Sequence, residues 1–360
     1  MSVDIVDQNN DGVSHHDIAE SLYFNTWDDT NKGLYGVYGV KLWVDGSTQG
    51  CSGYLENEYA ADGLCGGTAG SAGYNYKPVG LGIQNNVVPE LQKYWGNKWL
   101  IQVHANGDAA MKQTTDAFEL LQKEACADGG RHNPNTNPLV IHHATVGGDP
   151  KTPENAIRMI GESRNKGFSC GSRGIDKLGK LDITLSHTPA HIAYWGGAFQ
   201  SILDGKGTRA PDGKIEDDSG GRSTMIDATG SDITYDIPFS LHSDVPVSPV
   251  NPLWYVEQVV SRNTWFYPNI DTDDAVTMPV SNVKGFGRQN ADRYEALRAI
   301  TIVPARQNLL GNKIGSIAEE KIADLVILDG DPTDVSTDIL SINVISTFVN
   351  GIKHCWAAEC

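Results

Sequence analysis

Short apolar runs alternate with helix-length amphipathic segments along most of this chain, and several of the runs end in a histidine or an acid. Tyr38–Asp45, Trp99–His104, Pro138–His143 and Pro238–Asp244 read as strands, while Asp108 to about Glu124, Pro153–Lys166 and Pro252–Arg262 read as helices. Strands separated by helices pair in parallel, because the helix carries the chain back across the sheet before the next strand begins. The pattern therefore predicts an α/β fold built on a parallel sheet. Shorter strands are expected at Phe168–Cys170 and Ile183–Ser186, and helix-like segments at 84–97 and 290–309. A Gly/Tyr/Cys-rich loop runs from Gly46 to about Val79, and residues 204–235 form a polar, Gly/Asp-rich excursion. Beyond about residue 310, Ile314–Ile317, Ala323–Leu328 and Val344–His354 read as strands with no helix between them. That change predicts a small β appendage over 311–360.

Charge narrows the partners. Lys and Arg total 28 against 45 Asp and Glu, a formal net charge of −17, and no basic run interrupts the acidity. Such a surface repels phosphate backbones and anionic headgroups, so neither nucleic acid nor a membrane surface is expected as a partner. Pro138–Ile141 and Leu325–Leu328 are among the longest apolar runs, far short of the roughly 20 residues of a membrane span. The opening Met-Ser-Val-Asp-Ile-Val-Asp has neither the basic start nor the apolar core of a signal peptide. The chain is expected to be cytoplasmic, or exported if its true beginning lies upstream. Among six cysteines there is no Cys-x-x-Cys. Cys51 with Cys65, and Cys355 with Cys360, would close short loops if oxidised, as suits an exported protein.

Chemistry gathers at the strand ends. Lys41, His104, His143 and Asp244 each lie within or at the C-terminal end of an expected parallel strand. In a closed α/β barrel that rim is where functional groups converge. Two imidazoles, a carboxylate and a lysine meeting there form a plausible ligand set for a divalent metal such as zinc. Each residue alone has a plainer reading: Lys41 a strand lysine with its head in water, His104 and His143 hydrogen-bonded core histidines, Asp244 a turn residue. There is no GxSxG elbow, no P-loop and no GxGxxG.

Local motifs sharpen the picture. Val40-Lys41-Leu-Trp-Val-Asp45-Gly46-Ser47, Val103-His104-Ala-Asn-Gly107-Asp108-Ala109, Ile141-His142-His143-Ala144 and His242-Ser243-Asp244-Val-Pro246 follow one another in that order. Gly315-Ser-Ile and Lys321-Ile-Ala-Asp324-Leu-Val-Ile-Leu-Asp329 come after them. Over about residues 36–354 the chain resembles the amidohydrolase superfamily, and within it amidohydrolase family 3, the YtcJ-like group. The resemblance implies a TIM-barrel-like domain holding one or two metal ions and hydrolysing amide, N-formyl or cyclic-amide bonds of small molecules. By motif, Lys41 would be a carboxylated bridging lysine, and His104 and His143 ligands at the ends of barrel strands five and six. Asp244, after strand eight, would be both a ligand and the catalytic proton acceptor. His187, His191 and Trp195 lie in or near the segment that resembles the one following strand seven; they are substrate contacts or ordinary loop residues. Asp45 and Asp108 are expected to support the site or the fold, with Asp108 placed to cap the next helix.

One part of the family pattern is missing. The His-x-His of strand one has no counterpart before Lys41, and His15-His16 are adjacent, so a strand would turn them to opposite faces. Barrel strands one to three are therefore expected to be absent, along with the first half of the β appendage. This leaves a polar segment over 1–35, a partial barrel over 36–310 and the appendage. Little or no hydrolase activity is expected of such a chain alone. The alternatives are a non-catalytic relic or regulatory protein that keeps the surface for binding, and a half-barrel completed by homo-oligomerisation. Finally, Asp7, Asn9 and Asp11 with Gly12 copy the start of a calcium loop, but Ile18 stands where an EF-hand needs Glu, so a solvated turn competes with calcium binding.

Overall fold

A computed structural model of the chain describes residues 2–4, 39–66, 91–92, 94–95, 100–127, 139–152, 154–166, 168–169, 178–179, 181–205, 221–264, 276–277 and 289–354. The strands are β1 (Ser2–Asp4), β2 (Gly39–Trp43), β3 (Leu100–Ala105), β4 (Leu139–His143), β5 (Phe168–Ser169), β6 (Leu178–Gly179), β7 (Ile183–His187) and β8 (Phe239–Leu241), then β9 (Asn263–Thr264), β10 (Val276–Thr277), β11 (Leu325–Leu328), β12 (Val344–Val349) and β13 (Ile352–His354). The helices are α1 (Asp108–Ala127), α2 (Ala156–Lys166), α3 (Ala190–Leu203), α4 (Thr229–Thr234), α5 (Pro252–Ser261), α6 (Arg293–Arg298) and α7 (Ile302–Gln307).

The fold is mixed α/β. One six-stranded sheet runs in the order β1-β2-β3-β4-β7-β8, and every neighbouring pair in it is parallel. Spatial order follows chain order, with α1, α2 and α3 leading from β3 to β4, β4 to β7 and β7 to β8. β3, β4 and β7 are almost wholly buried along their length, as expected of parallel strands covered on both faces. Val40, Leu42, Ile101, Val103, Leu139, Ile141, Ile183 and Leu185 from the sheet share one core cluster with Met111, Phe118 and Leu121 of α1 and Ile157 and Ile160 of α2.

The helices form where sequence supplies both an apolar stripe and a start. In α1 the buried Ala110, Met111, Ala117, Phe118 and Leu121 recur at helical spacing. α2 begins at Ala156 rather than at Pro153, because the Asn155 side chain accepts from the Arg158 N–H at 3.0 Å and serves as the cap. Asn251 caps α5 in the same way, accepting from Trp254 N–H at 3.2 Å, and Arg262 closes it in a left-handed conformation. The expected helix over 290–309 is two helices. Pro304 lacks an N–H and its ring crowds the carbonyl four residues back, which breaks the helix before it.

Two further expectations change. Ser2–Asp4, inside the segment read as merely polar, pairs in parallel with the strand of Lys41 as β1. The excursion over 204–235 is partly built structure: a 3-10 turn over Arg222–Met225 and α4, with Met225, Ile226, Asp227 and Asp232 buried. At the C-terminal end, β11, β12 and β13 form a separate antiparallel sheet. The calcium-loop residues Asp7, Asn9 and Asp11 lie outside the described residues. Cys51 and Cys65 form a disulfide; Cys355 and Cys360 lie outside the described residues. Among the described residues no helix is long and apolar enough to cross a membrane.

Candidate metal centre

Parallel register sets up an obstacle that the backbone then solves. His104 on β3 pairs with His142 on β4, so a regular strand would turn the next residue, His143, to the opposite face. β4 ends there instead. His143 takes φ +70° and Ala144 φ +48°, a left-handed conformation that costs energy for residues other than glycine and clusters at functional sites. The His143 ring accordingly comes to lie 4.4 Å from that of His104, centroid to centroid, in edge contact.

Other groups converge on the same point. His242, just beyond β8, has its ring 5.1 Å from that of His143, and the His142 ring is 5.2 Å from His242. One candidate ligand atom from each of His143, His242 and Asp244 falls within 4.8 Å of the others. Asp244 is itself in the left-handed region, at φ +51°, and half-buried. Lys41 stands outside that close group, but its charge reaches His104, His142, His143 and His242 and lowers the proton affinity of each.

Hydrogen bonds fix the rings. The Thr188 hydroxyl lies 3.0 Å from His143 Nδ1 and 3.1 Å from His242 Nε2. His104 Nε2 faces the Gly46 carbonyl at 3.3 Å, the Asn106 amide nitrogen at 2.9 Å and Asp45 Oδ1 at 3.6 Å. Asp45 is in turn held by the backbone N–H groups of Tyr54, Asn106 and Gly107, at 2.8, 2.9 and 2.8 Å. Burial nevertheless pushes its carboxyl up to about 7. Asp108 opens α1 and accepts from the N–H groups of Ala109 and Glu56, tying the loop after β2 to the loop after β3. The disulfide pins that first loop again, and its Leu55 and Tyr59 pack against Phe199 and Ile202 of α3.

Beneath the rim lies a fully buried charged layer. His187 Nε2 is 2.7 Å from Asp232 Oδ2, and its Nδ1 is 3.1 Å from the His143 carbonyl and 3.4 Å from Asp227 Oδ1. His191 Nδ1 faces Thr145 Oγ1 at 3.2 Å and Asp227 Oδ1 at 3.6 Å. Burial alone would lower the His187 pKa, but Asp232 and Asp227 outweigh it and hold His187 up at about 10. Asp227 moves the other way: burial opposes its ionisation, yet His191 and His187 keep its carboxyl below the ordinary range. The Arg262 guanidinium donates to the carbonyls of Asp227 at 2.9 Å and Ile226 at 2.7 Å, and so holds the turn that carries Asp227. Trp195 is half-buried, with its ring 6.1 Å from that of His191.

The donor set fits a divalent cation. Burial first, reinforced by Lys41 and by one imidazole on another, holds His104 and His242 at about 3 and His143 well below its ordinary value. Neutral imidazoles are the form that binds metal. Of the residues singled out in the sequence, His143 and Asp244 meet in one group with His242, the His104 ring lies against that of His143, and Lys41 acts on these rings through its charge. His187 lies behind the rim with no exposed surface, and His191 is buried at its inner edge. Sequence reasoning passed over His242, although it stands two residues before Asp244 at the end of the same strand. Thr188, Asp227 and Asp232 carried no signal, since their importance comes from contacts distant in sequence.

The chain is similar to known proteins in sequence and in fold. The sequence profile described as the amidohydrolase family matches residues 211–352. The N-substituted formamide deformylase of Arthrobacter pascens is 35% identical over 253 residues, which cover 70% of this chain and 36% of that protein. An uncharacterized metal-dependent hydrolase from Pyrococcus furiosus shares the fold with a TM-score of 0.54 at 19% identity, over 89% of this chain and 49% of that one. Another, from Pyrococcus horikoshii, gives a TM-score of 0.53 at 18% identity, over 89% and 50%. The chain spans about a third of the length of the curated relative and about half that of the solved structures. The profile, the curated relative and the fold together support assignment of the chain to amidohydrolase family 3.

Proposed function

We propose that this protein is a metal-dependent hydrolase of non-peptide carbon–nitrogen bonds in small molecules, with N-substituted formamides as the first substrate class to test. The observation that carries this reading is the convergence of His143, His242 and Asp244 on one point at the C-terminal edge of a parallel sheet. The similarity to an N-substituted formamide deformylase supports the choice of substrate. His143, His242 and Asp244 would hold the ion, most simply zinc, with His104 beside His143 as a further ligand. Lys41 would join them after carboxylation by carbon dioxide, since an ammonium among these imidazoles opposes a cation and a carbamate favours it.

The chemistry that a bound divalent ion supplies is acidification of a water, from about 15.7 toward about 7, and polarisation of the scissile carbonyl. Asp244, half-buried and so within reach of substrate, takes one proton from the attacking water on a carboxylate oxygen. The water oxygen forms the new bond to the carbonyl carbon, the carbon–nitrogen bond breaks, and Asp244 returns that proton to the departing amine nitrogen. The Gly46–Tyr59 loop and the Tyr194–Trp195 side of α3 would wall the substrate. His191 and Trp195 are placed to contact it, and His187 to hold the strand ends rather than the substrate.

In this reading β2, β3, β4, β7 and β8 take the places of strands four to eight of a TIM-type barrel, within a domain over 36–310, followed by the appendage over 311–360. Their all-parallel, singly wound order and the functional groups at one rim support it. Exposed Val326, Ile345 and Ile352 on the C-terminal sheet are apolar surface that a homo-oligomeric contact would cover.

Formate release from N-substituted formamides, assayed with the chain as isolated, after chelation and after zinc is returned, tests the proposal. The expected result is turnover that chelation removes, zinc restores and Asp244→Asn abolishes. Zinc bound without turnover of any formamide, amide or cyclic amide would favour the alternative, a non-catalytic binding protein. Turnover indifferent to chelation would overturn the metal reading.

A further inference from the structure

Arg222 opens the 3-10 turn that leads into Asp227, and its guanidinium serves two other parts of the fold. Its Nη1 donates to the Asn57 carbonyl at 3.0 Å, and its Nη2 to the carbonyls of Glu58 at 2.7 Å and Leu203 at 2.6 Å. Asn57 and Glu58 belong to the loop after β2, 165 and 164 residues away along the chain. Leu203 is the last residue of α3, where helix carbonyls lack partners inside the helix and positive charge is favoured. A planar fork of donors can serve three carbonyls at once, which a single ammonium does poorly.

The arginine is itself fixed in place. The Asp204 carboxylate, directly after α3, accepts from the backbone N–H groups of Arg222 at 2.7 Å and Ser223 at 3.1 Å. Beside this joint the Ala60 N–H donates to the Ile202 carbonyl at 2.9 Å. The Asn57 and Glu58 side chains are exposed, so burial does not hold this arm of the loop, and the guanidinium does. The other arm is tied toward the metal centre, where the Tyr54 N–H donates to Asp45. Arg222 thus joins the two sides between which substrate would lie, the loop after β2 and the helix that carries Tyr194 and Trp195.

We propose that Arg222 is a positioning residue that clamps the loop after β2 onto the end of α3 and so keeps the substrate cleft at a fixed width. This rests on the reading of that loop and α3 as the walls of the cleft. Amide hydrogen exchange needs no substrate, so it separates the clamp from that reading. In the zinc-loaded protein, Arg222→Met should speed exchange over Asn57–Ala60 by about 10- to 100-fold, as loss of hydrogen bonds from a charged donor does. In formate release from N-butylformamide, KM should rise by about 10-fold while kcat and zinc affinity hold, the mark of lost substrate binding. Arg222→Lys should restore protection only in part.

Unchanged exchange in Arg222→Met overturns the proposal whatever the kinetics show. Faster exchange with an unmoved KM also overturns it, because the clamp would then have no effect on the cleft. So does a joint fall in kcat and zinc affinity, which would mark a general loss of structure. If the wild type releases no formate, the functional reading fails, and exchange alone decides whether Arg222 clamps the loop. Should Arg222→Met not fold, Arg222→Lys carries the same comparison.

Discussion

His187 Nε2 and Asp232 Oδ2 lie 2.7 Å apart with neither side chain exposed to solvent. That contact makes stability depend on pH in a defined window. His187 is held up at about 10 against an ordinary value of 6.5, so the stabilisation from its charged form is complete below about 6.5. It is lost as pH climbs from there through about 10. Urea midpoints should therefore fall steadily between pH 6.5 and 10, and Asp232→Asn should flatten that limb while lowering stability at neutral pH. A wild-type midpoint that stays level across the window would contradict the pairing.

Arg262 is fully buried, and its guanidinium serves the backbone of the turn that carries Asp227. Removing it orphans the buried backbone carbonyls of Asp227 and Ile226. Arg262→Met should be destabilising, since about 1–3 kcal/mol attaches to each buried polar group left without a partner. Lysine should rescue only in part, because a single ammonium cannot reproduce the planar fork. Chemical denaturation of the two variants measures the difference.

Gly107 approaches the loop after β2 so closely that a Cβ would sit 1.9 Å from the Tyr54 carbonyl oxygen. The same residue donates its N–H to Asp45. Gly107→Ala should push the loops apart and destabilise by about 1–3 kcal/mol, as overpacking does. Asp45→Ala should cost a similar amount or more, since about 1–3 kcal/mol attaches to each buried donor left without a partner. Thermal unfolding of both variants checks this, and a neutral effect of either would mean that these loops are not clamped together.

Cys51 and Cys65 are separated by 14 residues in sequence, and linking a loop of about 15 residues is worth roughly 3 kcal/mol in the chain-entropy picture. A Cys51→Ser, Cys65→Ser double variant should lose about that much, and a reductant should destabilise the wild type but leave the variant unmoved. Equal sensitivity of both proteins to reductant would show that the bond does not support the fold.

The parallel α/β core was readable because its strands are near-continuous apolar runs and because α1 and α5 combine an apolar stripe with a clear start. His104, His143 and Asp244 stood out for the same reason: a polar residue closing an apolar strand is conspicuous. α3 escaped notice because it is buried nearly all round and carries Gly196-Gly197, so neither amphipathic periodicity nor propensity marks it. β1 is too short to be distinguished from a polar segment. Asp227 and Asp232 looked like solvated loop acids, and only the return of their segment against β7 makes them partners of His187. The left-handed turn at His143, which brings its ring to His104, is invisible to any reading that treats β4 as a regular strand.

Anomalous diffraction from crystals grown with zinc would test the central claim most directly. The account predicts a zinc peak at the C-terminal edge of the sheet, in contact with His143, His242 and an Asp244 carboxylate oxygen, and lost in Asp244→Asn. A chain that crystallises with this fold yet shows no peak there, or shows zinc elsewhere, would contradict it.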